Sequence, residues 1–228
     1  MDVEPSLYYQ HTGKMPLASR ISYVARQRMF ERFMAVLQPG AHDTVLDIGV
    51  TSDTGNRESN YFEEMYPYKS QITCVGPEDA SHLETVYPGV RFRQIVPNAR
   101  LPFDDHAFDI AFSNAVLEHA GDADRQRLFV AEACRVARRV FITTPNRWFP
   151  IEPHTRLPLV HYLPKRLFRR VLSGTRYSFW ASEDNLNLFT STEFRACFDR
   201  SYPVRVEYTG IGVGFLRSNL IGYTKEQG

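Results

Sequence analysis

The sequence is poor in the residues that build disulfide scaffolds, metal cages or membrane anchors. Only three cysteines occur in 228 residues, Cys74, Cys134 and Cys197, far apart and with no CxxC pair. Each lies in an apolar or helical stretch, the setting of a buried free thiol in a reducing compartment. The seven histidines are scattered without HxxxH spacing, so no metal ligand set is expected. No apolar run approaches the roughly 18 residues of a membrane span, and Met1–Gln10 lacks the basic and apolar regions of a secretion signal. A cytoplasmic protein is expected. Charge of one sign is also missing: 27 Lys and Arg face 26 Asp and Glu, so no global field draws the chain to nucleic acid or membrane.

What is present is a regular α/β pattern. The 43% hydrophobic and 23% charged content is ordinary for a globular chain, and the length suits one α/β domain. Residues 19–37 carry apolar side chains at helical spacing (Ile21, Val24, Ala25, Met29, Phe33, Val36, Leu37) and stop at Pro39-Gly40. Thr44–Gly49 reads as a buried strand running into a loop, and further strands are expected at 71–75, 90–96, 108–113 and 139–143. Helices are expected around 59–65, 79–87 and 124–138. This alternation predicts a parallel sheet covered on both faces, with ligands at the carboxyl ends of its strands. Asp47, Gly49, Gly76, Asn114 and Asn146 then share one rim. A Pro-, aromatic- and Arg-rich insert occupies 147–182. The tail supplies a helix near 192–198 and two strands, 204–208 and 218–224, expected to pair antiparallel. One domain results, with a helical segment (1–43), a core (44–146), the insert and the tail (183–228).

Several segments carry a resemblance: Val45-Leu46-Asp47-Ile48-Gly49, Leu101-Pro102-Phe103-Asp104-Asp105, Phe108-Asp109-Ile110, Glu118-His119 and Phe141-Ile142-Thr143-Thr144-Pro145-Asn146. In order and spacing they resemble the class I S-adenosylmethionine-dependent methyltransferases, over roughly 44–146. The resemblance implies a Rossmann-like sheet of seven strands, mostly parallel, with helices on both faces, an antiparallel terminal strand and a small cap insert. It implies S-adenosyl-L-methionine as cofactor. Asp47 would hold the first loop and the cofactor's ammonium group, and Gly49 would admit the methionine part where a Cβ would clash. Gly49→Val is then expected to abolish binding without unfolding the domain. No GxGxxG follows the first strand, which speaks against a nicotinamide cofactor.

The chain departs from the family at three places. Thr51 and Asp53 stand where the loop usually has glycines, Gly55 being the next available, so Thr51 and Ser52 would offer hydroxyls and N–H groups instead. Gly76 stands where an acid usually takes the ribose, and Glu78, just beyond Pro77, is the expected substitute. Val96-Pro97-Asn98-Ala99 replaces the adenine-side pair, leaving Asn98 for the adenine amine. Asn114 would lie beside the cofactor. These departures leave a catalytically inactive, methyltransferase-like binding module as the alternative to an enzyme.

A methyl sulfonium is already activated, so the protein must bind it, exclude water and align a nucleophile. A hydroxyl acceptor must also lose its proton, for which histidine is best suited near neutral pH. The candidates are His119, beside Glu118, and His154, two residues after Glu152; His154 is preferred because it leads into the insert. Pro153 either lets the carboxylate orient the imidazole or forces the two apart. No Asp or Glu occurs from 153 through 182, while Arg156, Lys165, Arg166, Arg169, Arg170 and Arg176 do. Trp148, Phe149, Arg166, Arg169 and Arg170 are therefore expected to face a small-molecule acceptor, methylated on oxygen or nitrogen, such as a saccharide or another anionic metabolite. The bland alternative is a cap helix packed on the core with its arginines in water; contact with an anionic membrane surface is a lesser one. Nucleic acid is not expected, because one basic patch without regularly spaced aromatics is a poor footprint. No feature specifies an oligomeric state.

Overall fold

The computed structural model describes residues 17–53 and 59–224; Gly55 of the first loop lies outside them. The strands are β1 (Val45–Ile48), β2 (Ile72–Gly76), β3 (Arg91–Gln94), β4 (Phe108–Asn114), β5 (Ala137–Pro145), β6 (Arg205–Thr209) and β7 (Asn219–Tyr223). They form one sheet in the order β3-β2-β1-β4-β5-β7-β6. β1 to β5 run parallel, while β7 is antiparallel to both neighbours. The helices are α1 (Leu17–Leu37), α2 (Tyr61–Met65), α3 (Leu83–Val86), α4 (Ala123–Val136), α5 (Lys165–Ser173) and α6 (Ser191–Arg195). Among the described residues no helix is long and apolar enough to cross a membrane.

Successive strand side chains point to opposite faces, and two apolar cores result. Val45, Ile72, Cys74, Ile110, Phe112 and Phe141 face α1 and α2. Leu46, Ile48, Val75, Ala111, Val140 and Ile142 face α4 and α6. Asp47 shares the parity of Val45, which aims its carboxylate at the α1/α2 side. The buried stripe of α1 is Ala25, Met29, Phe33 and Leu37, one residue per turn, whereas Ile21 and Val24 of the expected stripe are exposed. The Arg32 guanidinium donates twice to the Glu207 carboxylate, both at 2.8 Å, and the Tyr223 hydroxyl donates to Glu207 at 2.7 Å. That fork fixes α1 against β6 and β7.

Several element boundaries differ from the sequence expectation, two of them for clear local reasons. The helix expected over 79–87 is a single turn, because the Asp79 carboxylate takes the Ser81 N–H and so competes with helical bonding. β5 starts at Ala137, directly after α4, because the register pairs Ala137 with Phe108. α4 itself is capped by Asp122, which accepts the N–H groups of Asp124 and Arg125. The insert has its own small core of Phe168, Leu172, Leu186 and Leu188, flanked by Leu157, Val160, Leu163, Tyr177 and Trp180.

Phe33 is fully buried, with its ring edge-on to Phe62, Phe112 and Phe141 at 5.1, 5.6 and 5.4 Å. Phe33→Ala is expected to lower unfolding free energy by about 3–5 kcal/mol, read as a drop in urea midpoint; a loss below ~1 kcal/mol would show that α1 is not anchored through this ring.

Candidate active site

The rim begins where β1 turns. Gly49 has φ +98°, and a Cβ there would stand 2.3 Å from Cγ2 of Val116. A side chain at this position is therefore strained by the fold itself, so Gly49→Val would cost stability as well as cofactor access. The Gly49 N–H and that of Val50 both donate to the Val75 carbonyl, at 2.8 and 3.2 Å, folding the loop over the end of β2. There a Cβ on Gly76 would meet the Val50 carbonyl at 2.7 Å. No acidic side chain fits at that position beside this loop. Glu78 does reach back: its carboxylate accepts the Ser52 hydroxyl at 2.8 Å. Asn60 holds the loop from α2's side, accepting the Thr51 N–H at 3.1 Å and donating to the Thr51 carbonyl at 2.8 Å.

Behind this loop lies a cleft of about 200 Å³ lined by Arg26, Asp47, Gly49, Thr51, Glu63 and Asn114 together with Tyr61 and Phe112. It gathers four of the expected cofactor residues. Ser52 and Glu78 sit at its loop side. Asn98 is exposed and is not part of its lining. Asn114 is fixed by the Thr143 hydroxyl, which donates to its Oδ1 at 2.7 Å. Arg26, Asn60, Tyr61 and Glu63 escape a sequence reading because they come from helices, where no motif marks them; an acid mid-way along the apolar face of α2 is the one visible signal.

The cleft suits a ligand that carries both signs of charge. Asp47 is 6% exposed and Glu63 fully buried. Burial pushes the Asp47 carboxyl well above the usual carboxylate range, and the neighbouring Glu63 carboxyl pushes the same way. Arg26 adds one cation. The methionine part of S-adenosylmethionine, with its ammonium, carboxylate and sulfonium, has the charges that match, so the residues present fit the cofactor.

A second cluster follows the ends of β4 and β5. The turn Leu117–His119 buries Glu118, whose Oε2 accepts the Thr144 hydroxyl at 3.0 Å while Oε1 has no donor among the described residues. His119 Nδ1 bonds the Asn185 carbonyl at 2.6 Å, so that nitrogen carries the proton and Nε2 is left free, 4.0 Å from Glu118 Oε1. Glu152 is 1% exposed. Its Oε1 accepts Nδ1–H of His154 at 2.6 Å and the His154 backbone N–H at 2.9 Å, and its Oε2 accepts the Thr155 N–H. Pro153 thus brings the pair together. Burial alone would lower the His154 pKa, but the bond to Glu152 and the charges of Glu152 and Glu118 outweigh it and raise it. Burial alone would raise Glu152, but His154 and the N–H donors bring it below its ordinary value. Trp180 closes on both imidazoles, 5.8 Å from the His119 ring and 4.8 Å from the His154 ring.

One ligand atom each from Glu118, His119 and His154 lies within 4.8 Å of the others. A cation with bonds of about 2.1 Å holds neighbouring ligands roughly 3.4 Å apart, so the group as it stands is looser than a formed metal centre.

The insert's arginines are placed elsewhere. Arg166 and Arg170 project into solvent. Arg169 donates to Asn187 Oδ1 at 2.9 Å and lies 3.5 Å from Glu183, beside a void of only about 10 Å³, room for about one water. Trp148 packs edge-on against Tyr162 at 5.5 Å and is 37% exposed; Phe149 is half-buried. None of these five touches the histidine cluster in a ring contact or hydrogen bond; Trp180, which sequence reasoning left unassigned, does.

A methyltransferase-domain family model matches residues 52–140, from the first loop into β5. No curated protein matches the sequence. Solved structures share the fold at low identity. A SAM-dependent methyltransferase from Aquifex aeolicus is 14% identical with a TM-score of 0.51, covering 90% of this chain and 92% of its own. A Thermotoga maritima protein described as a possible histamine N-methyltransferase is 15% identical with a TM-score of 0.54, covering 92% of each chain. The small RNA methyltransferase HEN1 is 16% identical with a TM-score of 0.58 over 96% of this chain but 27% of its own. At these identities the structural likeness is one of fold.

Because the Gly49 clash is with a side chain, it is relievable. Gly49→Ala is expected to cost about 1–3 kcal/mol, and Val116→Ala in that background should restore part of it, measured by thermal denaturation. Strict additivity of the two changes would mean that Val116 does not occupy the glycine's open face.

Proposed function

We propose that the chain is a class I, Rossmann-like S-adenosylmethionine-dependent methyltransferase and that it methylates a hydroxyl oxygen of a small-molecule acceptor, with His154 as the base. S-adenosylmethionine supplies an activated methyl group, and the chain's own residues bind, orient and deprotonate around it. Asp47, Thr51, Ser52, Glu78 and Asn114 hold the cofactor side, with Gly49 shaping the loop; Asn98 is the weakest member of that set. The observation that carries the oxygen reading is the bond from His154 Nδ1 to the buried Glu152 carboxylate. It fixes the ring and its tautomer, so that Nε2 is the nitrogen free to take a proton, and Glu152 stabilises the imidazolium that forms. An amine acceptor can attack first and lose its proton later, and would not need such a pair. His119, with its Nε2 also free, flanks the same space.

The net charge of +1 favours a small acceptor, such as a saccharide or other anionic metabolite, over nucleic acid. Arg166 and Arg170 are then distant contacts at most, and Trp148, Phe149 and Arg169 shape the insert. The three free, buried cysteines fit a cytoplasmic setting.

The test is release of S-adenosylhomocysteine with a panel of hydroxylated small molecules beside RNA oligonucleotides; methylation of RNA alone would overturn the acceptor class. With a working acceptor, His154→Ala should lower turnover by about a hundredfold or more and leave cofactor affinity unchanged. His154 accepts a proton only when neutral, so the wild-type rate should rise with pH through an inflection above the ordinary histidine value. Glu152→Gln removes the charge that raises His154 and should move that inflection down. Full turnover in His154→Ala with an unchanged profile would point instead to alignment of an amine.

A further inference from the structure

The cleft holds one carboxyl more than a strand-end aspartate accounts for. Glu63 sits on α2, and helices rarely bury an acid completely without a cation or several donors. Here its Oε1 accepts only the Cys74 thiol, at 3.1 Å, and its Oε2 accepts from no donor among the described residues. The remaining neighbour is Asp47, itself an acceptor unless it carries a proton. Two adjacent buried carboxyls cannot both ionise at ordinary cost, and burial together with the neighbouring Glu63 holds the Asp47 carboxyl well above its usual range.

The groups facing the pair from other elements do not supply the missing charge. Arg26 of α1 lines the same cleft, but its guanidinium is engaged with Ser22 and lies over the Tyr61 ring at 5.9 Å, with no ion pair to either acid. Tyr61 and Cys74 are buried and stay neutral, burial pushing both upward. Lys69 binds the backbone carbonyls of Glu63 and Glu64 instead of the carboxylate. Tyr87, also raised by burial, adds no positive charge. Among the described residues no cation pairs with either acid, which leaves that role open to a bound ligand.

We propose that Glu63 and Asp47 together form a paired-carboxyl seat for the cationic groups of the cofactor, and that loading the cleft expels a proton to solvent. The inference rests on the reading that S-adenosylmethionine occupies this cleft. A ligand bearing ammonium and sulfonium charges stabilises two carboxylates where the free protein tolerates one. Binding then strengthens as pH rises, because the doubly ionised pair is the form that binds. Glu63 is also the residue that lets the site weigh cationic S-adenosylmethionine against its product, which has lost the sulfonium charge.

The experiment is calorimetric titration of the full chain with S-adenosylmethionine at neutral pH, in phosphate and in Tris, whose ionisation heats differ widely. The expected result is a heat that depends on the buffer and corresponds to release of close to one proton per site. Glu63→Gln keeps the shape and a hydrogen bond to Asp47 but cannot ionise. It should abolish the buffer dependence, weaken S-adenosylmethionine about tenfold and narrow its advantage over S-adenosylhomocysteine. The wild-type measurement stands even if the variant folds poorly. Binding with the same heat in both buffers, or with proton uptake, overturns the paired seat and leaves the cofactor reading intact. No binding at any concentration overturns both.

Discussion

Crowding where β1 and β2 end governs the rest of the rim. Gly49 turns with a left-handed φ because Val116 fills the space a side chain would need, and the Val50 carbonyl then lies against the face of Gly76. The two contacts make each other necessary. With the loop folded this way, β2 has no place for an acidic side chain, and the polar groups of the site shift to Ser52, Glu78 and Asn60.

Four acids are buried along this rim, and the degree to which each is satisfied separates structural from ligand-facing roles. Glu152 accepts two backbone N–H groups and an imidazole N–H, enough to keep it ionised in a dry setting. Glu118 has one hydroxyl donor and one open oxygen; Glu63 has a thiol and one open oxygen. An unsatisfied buried oxygen costs on the order of 1–3 kcal/mol, a cost that a donor or cation from a ligand would offset at Glu63 or Glu118.

The insert matters through where it docks. Asn187 donates its backbone N–H to the Glu118 carbonyl at 2.8 Å and its side-chain amide to the Gly121 carbonyl at 2.8 Å, while Arg125 meets Asp184 at 2.9 Å. These bonds, with the one from His119 to Asn185, pin residues 184–187 to the turn after β4. The small core of the insert then carries Trp180 onto the two histidines. Polar stitching sets the position, and apolar packing keeps the ring in place.

The strand and helix order, the rim containing Asp47, Gly49 and Asn114, and the candidacy of Glu152 and His154, though not their pairing across Pro153, are legible in the amino-acid order. Each depends on neighbours close in sequence: period-two burial, a glycine after a strand, a carboxylate two residues from an imidazole. Helix lengths are less so, since the single turn at 83–86 is decided by a side chain bonding its own backbone. The roles of the basic insert are not legible at all. A run of arginines looks the same whether it faces an acceptor, solvent or Asn187, and only packing assigns Arg166 and Arg170 to water and Arg169 to the tail. Arg26, Glu63 and Trp180 reach the rim from helices and a turn distant in sequence, so nothing local marks them. Residue order determines which chemistry the strand ends can carry; tertiary packing decides which buried acids are left without donors, and so where a charged ligand is needed.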